Sequence, residues 1–324
     1  MVRDFAIKLR SLTTPPAQLQ ELLDTVLTTP RASEKVSPAA KRIGQRQPTA
    51  ERANEAKASY LLVGDILFSN EAWGGEKYVT LDHQVPLDLA YRPKPPDAAT
   101  RALYPKGMPQ PIPDALVGYI MQEEAGYQKV EAPFSEDEET ALDKLVKPRL
   151  TGSCLFPFLS AEFKRSRGSE SRDHALLQVA RGSTTIINHL RLVLTRAGIA
   201  PTPRNTCHWS VTSDMSIIQL WLVWADHHPE NGTLQYHIQQ VARKDLCDLE
   251  DEENPGMVEF RRILRNILSW AMGERLDTIR KAMVKLVAIA EGKDNVSKAL
   301  NAKVIPESSG PPATKKQKRA ADDI

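Results

Sequence analysis

Leu155-Phe156-Pro157-Phe158-Leu159-Ser160-Ala161-Glu162-Phe163-Lys164 is an apolar run that closes on an acid, one spacer and a lysine. A β-strand turns successive side chains to opposite faces. Glu162 and Lys164 therefore share one face, and Ala161 and Phe163 share the other. Charges closing so apolar a strand are costly if buried and unpaired. Either the strand emerges into solvent, leaving a surface glutamate and lysine, or the charges carry chemistry at its end.

Upstream, Ile112-Pro113-Asp114-Ala115-Leu116-Val117-Gly118-Tyr119-Ile120-Met121 reads as a second strand. It is entered through a proline, which a strand tolerates at its start. The acidic stretch 122–150 separates the two, with a helix expected near Asp137 to Val146. After a polar turn from Lys164 to Arg172, the spacing of Leu176, Leu177, Ala180, Ile187 and Leu194 predicts a helix from Asp173 to about Ala197. Gly198 fits its C-cap, and Pro201 stops any continuation. Three strands follow, His208–Ser213, Ile217–Asp226 and Leu234–Val241. Glu230-Asn231-Gly232-Thr233 carries the hairpin signal between the last two. Helices are expected over Met257–Trp270 and Glu274–Glu291. The fold class is therefore α/β, an α+β arrangement around a mixed sheet.

The N-terminal side is sparser. Leu19, Leu22, Leu23 and Val26 predict a helix from Ala17 to Leu27. Thr28–Gln47 reads as a flexible connector. A second helix is expected from Pro48 or Thr49 to about Ser69. In the Pro- and Gly-rich residues 70–112, Val79–Leu81 and Val85–Tyr91 read as short extended pieces, and the prolines exclude any long helix. Three parts result: a helix and connector over 1–47, a domain over 48–292, and a disordered basic tail over 293–324.

With 41% hydrophobic and 26% charged residues, the 324-residue chain is expected to be soluble and to bury a core. No apolar run reaches the eighteen or so residues of a membrane span, and Met1–Phe5 lacks a secretory apolar core. Cys154, Cys207 and Cys247 lie far apart with no CxxC, which reads as reduced thiols inside a cell. A net charge of +2 argues against a general polyanion binder. The acidic runs Glu136–Glu139 and Glu250–Glu253 read as solvated segments. Cys207, His208, His227, His228, His237 and Cys247 lack the spacing of a zinc site and are expected on hairpin surfaces. Trp209, Trp221 and Trp224 read as core, with base stacking the alternative. Arg261, Arg262, Arg265, Arg275, Arg280, Lys281 and Lys285 are expected on the outside of the last helices.

If the two strands are neighbours, Asp114, Glu162 and Lys164 converge. Two carboxylates suit Mg²⁺, which prefers hard oxygen ligands. Such an ion lowers the pKa of a water and shields a phosphodiester. A lysine beside it positions that water or stabilises developing negative charge.

Pro113-Asp114, the Glu162-Phe163-Lys164 triplet and the order strand, strand, helix, strand together resemble the PD-(D/E)XK nuclease superfamily. Gln178 adds to the likeness, because several branches carry a glutamine on the helix after the lysine strand, facing the site. The run from about Tyr60 to Lys244 is similar to an uncharacterised family of fungal domains assigned there. The shared features are the Pro113-Asp114 to Gly118-Tyr119 strand, the Pro157-Phe158-Leu159 to Lys164 strand, the glutamine helix and a tryptophan-rich hairpin. The resemblance implies a restriction-endonuclease-like core with a helical N-terminal extension and C-terminal helices. It implies that Asp114 and Glu162 bind Mg²⁺, Lys164 assists the water and Gln178 orients the site. Glu51 and Glu55 are candidates for a further acid from the first core helix.

Two functions are expected. One is a metal-dependent nuclease hydrolysing a nucleic-acid phosphodiester. The other is a catalytically inactive nuclear module of the same fold that binds nucleic acid or protein, since the superfamily has members without the metal site. A structural interaction protein with no nucleic-acid role is the reading left if both fail. Arg165, Arg167 and Arg172 contact phosphates in the first case and form a solvated loop otherwise. In the tail, Lys315, Lys316, Lys318 and Arg319 read as a signal for a nuclear import receptor, which implies a nuclear location.

Overall fold

The computed structural model describes residues 1–31, 38–68, 78–164, 172–247 and 254–292. The 293–324 tail with its basic cluster, the acidic run Glu250–Glu253, and Arg165 and Arg167 lie outside the described residues, as does the side chain of Arg172.

The strands are β1 (Ile7–Leu9), β2 (Val79–His83), β3 (Ala115–Tyr119), β4 (Leu155–Phe163), β5 (His208–Ser213), β6 (Ile217–His227) and β7 (Leu234–Asp245). They form one seven-stranded sheet in the order β1-β7-β6-β5-β4-β3-β2. Helices are α1 (Ala17–Thr28), α2 (Pro38–Arg52), α3 (Glu55–Ile66), α4 (Ala98–Leu103), α5 (Gln122–Gln128) and α6 (Glu136–Leu145). After these come α7 (Arg172–Arg196), α8 (Pro203–Thr206), α9 (Pro255–Trp270) and α10 (Leu276–Ala290). A mixed α/β sheet with helical additions at both ends is the expected architecture.

The local chemistry explains the central elements. β4 and β5 are parallel, and parallel neighbours need a crossover, which α7 supplies. β5, β6 and β7 form an antiparallel meander. Its last turn carries Gly232 at φ +68°, as the Asn-Gly pair asks. Gly198 likewise ends α7 at φ +67°.

All nine residues of β4 are buried, because both sheet faces are covered. α7 packs on β4 and β5 from one side, while α9 lies along α1, α2 and β7. A proline so deep in a central strand removes a ladder donor. The β3–β4 register shifts between Val117 and Tyr119, Phe156 adopts φ +44°, and Pro157 falls in that irregular stretch. Only glycine fits opposite: a Cβ on Gly118 would lie 2.7 Å from Cys154 Sγ and 2.9 Å from the Leu155 carbonyl.

Several expectations need correction. The strand does not emerge at its charged end, since Glu162 and Lys164 are 2% and 4% exposed. The connector expected to reach Gln47 is helical from Pro38, and Pro48 lies inside α2. The buried face of α2 is Ala39, Ala40, Ile43, Gln47 and Ala50, too small and polar a set to register as an amphipathic stripe. The single helix expected over 48–69 is broken, because Asn54 caps α3 by accepting from the Lys57 N–H at 2.9 Å. β1, α4 and α5 were not expected from the sequence.

The acidic run at 136–139 forms the first turn of α6, where Ser135 and Glu138 build a capping box and Glu139 is buried. Cys207, His208 and His237 are interior rather than on hairpin surfaces. Arg261 and Arg275 are interior too. Arg261 lies 4.3 Å over the Phe68 ring, and Arg275 donates to the Pro157 carbonyl at 3.1 Å. Trp209, Trp221 and Trp224 are core, so none presents a face for stacking on bases.

Candidate functional site

Ala115 of β3 pairs with Ala161 of β4 in antiparallel register. One rung further, Asp114 stands opposite Glu162, and opposed residues share a face. The Asp114 Oδ2 accepts the Phe163 N–H at 2.7 Å, which extends the ladder past the last strand pair. A backbone hydrogen bond from Asp114 reaches Glu162 in return. The two acids are therefore tied to each other's strands.

The face they occupy is the one beneath α7. Ser160, two residues before Glu162, shares a 2.8 Å hydrogen bond with Ser210 of β5. Ser210 shares another, also 2.8 Å, with Ser183 of α7. By the period of two, Glu162 and Lys164 point to the same polar layer. Lys164 also continues the β4–β5 ladder, donating its N–H to the Ser213 carbonyl at 2.7 Å.

Burial governs the electrostatics. The Glu162 carboxyl is held well above the ordinary glutamate range. Removal from water is the largest cause, followed by the neighbouring Asp114 charge. Lys164, Arg181 of α7 and the Asp114 backbone bond oppose them without winning. Its Oε2 is buried with no hydrogen-bond partner among the described residues. The Oε1 of Gln178, on the first half of α7, is in the same condition. Gln178 and Arg181, one turn apart, line a cavity of about 280 Å³ with His174 and Leu177.

Asp114 also reaches a larger cleft of about 1050 Å³, walled by Arg42 and Arg46 of α2, by Tyr60 and Gly64 of α3, and by His83 and Gln84. Behind this wall sits Asp65, which is fully buried. Arg42 reaches its Oδ1 at 2.7 Å and Arg46 its Oδ2 at 2.8 Å. Both arginines are thus held at the cleft with part of their surface in water.

A sequence family described as a domain of unknown function (DUF7924) matches residues 56–283, more than two thirds of the chain. The chain belongs to this family. No curated protein matches it. The matched span includes Asp114, Glu162, Lys164 and Gln178 together with α3 through most of α10. It leaves β1, α1 and α2, and with α2 the two cleft arginines, outside.

The structure brings Asp114, Glu162 and Lys164 to one end of β3 and β4. Gln178 lies on the covering helix but makes no hydrogen bond to those three among the described residues. Glu51 faces elsewhere: its Oε2 accepts from Gln47, whose amide also holds the Met215 carbonyl at 2.8 Å. The side chain of Glu55 lies outside the described residues. Sequence reading missed Arg181, although it sits one turn beyond Gln178 on the same helix face. It also missed the Arg42–Arg46–Asp65 cluster, whose acid is separated from its arginines by a helix break.

As a cation site the donor set is oxygen-rich. It contains two adjacent carboxylates, one with an orphaned oxygen, and the covering helix carries an amide with another. These hard acceptors fit Mg²⁺, which is held by one or two carboxylates and keeps waters for the rest. Among the described residues no group of three or more His, Cys, Asp or Glu side chains gathers as a closed metal cage.

Proposed function

We propose that the protein is a metal-dependent nuclease of the PD-(D/E)XK type acting on a nucleic-acid phosphodiester. The observation that carries this reading is the buried Glu162 Oε2, which lacks a donor beside a second carboxylate. A buried anion in that state is costly; the raised carboxyl meets that cost by keeping its proton, and a divalent cation would take the proton's place. Asp114 and Glu162 would hold the ion. It supplies charge neutralisation for the phosphodiester and a more acidic water.

Lys164, on the same face, offers its ammonium to the charge that develops on the phosphate. Gln178 orients groups from the helix above. Arg42 and Arg46 provide the cleft wall with cations for a nucleic-acid backbone, and such contacts position the strand without reading its sequence. The basic segment Lys315–Arg319 would direct the protein to the nucleus through an import receptor.

A second reading has its own support, because the donor set stops at two acids. In that reading the cleft binds nucleic acid or protein without cutting it. The test is cleavage of end-labelled DNA and RNA with Mg²⁺ or Mn²⁺, comparing wild type with Lys164→Met and Asp114→Asn. Divalent-dependent cleavage that both variants lose supports the nuclease. Binding without cleavage supports the silent module. Equal cleavage by all three proteins refutes the assignment of these residues.

A further inference from the structure

A separate pocket of about 500 Å³ opens between the turn at Leu89–Tyr91, α7 and the start of β7. That volume falls in the range of small-molecule sites. Its walls are apolar and aromatic, with Phe5, Tyr91, Pro95, Leu192 and Tyr236 among them. Its charged lining is wholly basic: Arg92, Lys94 and Arg191, with no Asp or Glu.

The state of Arg191 is the informative part. Its Nη2 meets the Nε2 of His227 at 3.3 Å. The other nitrogen of that ring, Nδ1, lies 2.8 Å from the Gly232 carbonyl and must donate to it. Nε2 is therefore the nitrogen that accepts from Arg191. Arg92 gives its guanidinium to the carbonyls of Leu89, Lys106 and Met108. The acids that adjoin the lining in sequence are engaged elsewhere: Asp4 accepts from the Tyr104 hydroxyl, Asp88 caps the 89–91 turn through the Ala90 N–H, and Asp97 caps α4 through the Thr100 N–H. Partial burial holds Arg191 below the ordinary guanidinium range, with the Tyr236 hydroxyl and no carboxylate opposing it.

The floor is rigid. Tyr236 donates its hydroxyl to Asn188 at 2.7 Å, and Asn188 donates to the Tyr91 carbonyl at 3.0 Å. Both tyrosine hydroxyls are pushed up to about 12 by burial, so they stay neutral.

We propose that this pocket is a binding site for a small anion carried on an apolar or aromatic body, a carboxylate or a phosphate monoester, with Arg191 as the principal anion contact. A carboxylate or phosphate pairs well with a guanidinium, and the rings of Phe5, Tyr91 and Tyr236 receive the body. The site does not depend on the Asp114–Glu162 reading.

Calorimetric titration of the full chain without divalent metal tests it, using benzoate, phenyl phosphate, inorganic phosphate and the uncharged benzamide as probes. Saturable binding of benzoate or phenyl phosphate is expected, and whichever binds identifies the anion. Arg191→Gln should weaken it by about tenfold or more, the loss of one charge-assisted bond. Leu234→Trp, which fills the pocket and spares the cations, should abolish it. Failure of both anions to bind in the millimolar range overturns the proposal. So does an affinity unchanged in Arg191→Gln, or benzamide or inorganic phosphate binding as well as the aromatic anions.

Discussion

Replacing Glu162 by glutamine should stabilise the protein in a pH-dependent way, and the sign follows from the raised carboxyl. A carboxyl whose folded pKa lies above its unfolded value holds its proton longer in the folded state. Folded protein then binds more protons than unfolded protein above about pH 4.3, the ordinary glutamate pKa. Stability is fully present below that pH and is lost as pH rises toward the folded pKa. Within the window the loss is about 1.4 kcal/mol per pH unit. For a folded part of this size each kcal/mol moves Tm by about 2–4 °C. The Tm of Glu162→Gln minus that of wild type should therefore widen by about 3–6 °C per pH unit above about pH 5. Other titrating groups cancel in the difference. Mg²⁺ or Mn²⁺ should close the gap by stabilising wild type alone, since glutamine cannot neutralise the ion. Scanning calorimetry across the range reads both effects. Parallel Tm–pH curves would refute the argument that burial and Asp114 dominate this carboxyl, and equal metal stabilisation of both proteins would remove Glu162 as a ligand.

His189 gives the opposite slope. It is 4% exposed, packed edge-on to Tyr91 at 4.7 Å, and burial lowers its pKa to about 3. A histidine kept neutral in the fold contributes stability that is present above the unfolded value near 6.5 and lost as pH falls toward about 3. His189→Leu should flatten the acid limb of the urea-unfolding free energy by about 1.4 kcal/mol per pH unit in that window, and an unchanged limb would contradict it. At the cleft, Asp65→Asn leaves Arg42 and Arg46 facing each other. A loss of about 2–3 kcal/mol is expected, because the acid is buried while both arginines keep some solvent. Urea denaturation showing less than about 0.5 kcal/mol, the scale of a surface substitution, would mean the cluster is incidental.

The sheet was legible because its strands are apolar runs bounded by turn chemistry. β4, β6 and the Asn-Gly hairpin before β7 all fall where alternation and glycine placed them. β1 was not legible, since three residues, Ile7–Leu9, pair with β7 through long-range contact and carry no periodicity. α2 was hidden for a different reason: its buried face is three alanines, one isoleucine and one glutamine around an internal proline. Among the site residues, Asp114, Glu162 and Lys164 share a sheet end because pairing rules fix opposed residues once two strands are neighbours. What the sequence did not disclose was their burial. That depends on α7 covering the face, and α7 covers it through serines, Ser183 on Ser210 on Ser160, that no hydrophobic pattern reports.

The other interior carboxylates show why Glu162 stands apart. Asp65 gives each oxygen to an arginine. Glu139 accepts the Gln122 N–H at 2.8 Å and has Arg149 at 3.8 Å. Asp214 collects the Ser216 and Ile217 N–H groups and the Ser216 hydroxyl on one oxygen. In each case the fold supplies hydrogen-bond donors or a cation to the carboxylate it buries, although at Glu139 burial still outweighs them and raises the carboxyl. Glu162 breaks that pattern. It has an acid for a neighbour, and the cations that act on it, Lys164 and Arg181, do not outweigh its burial. A position that stability alone would have filled with leucine or glutamine instead keeps a carboxylate with an oxygen to spare. Such local conflict is where function is to be sought, and it falls on the strand end that Asp114 and Lys164 share.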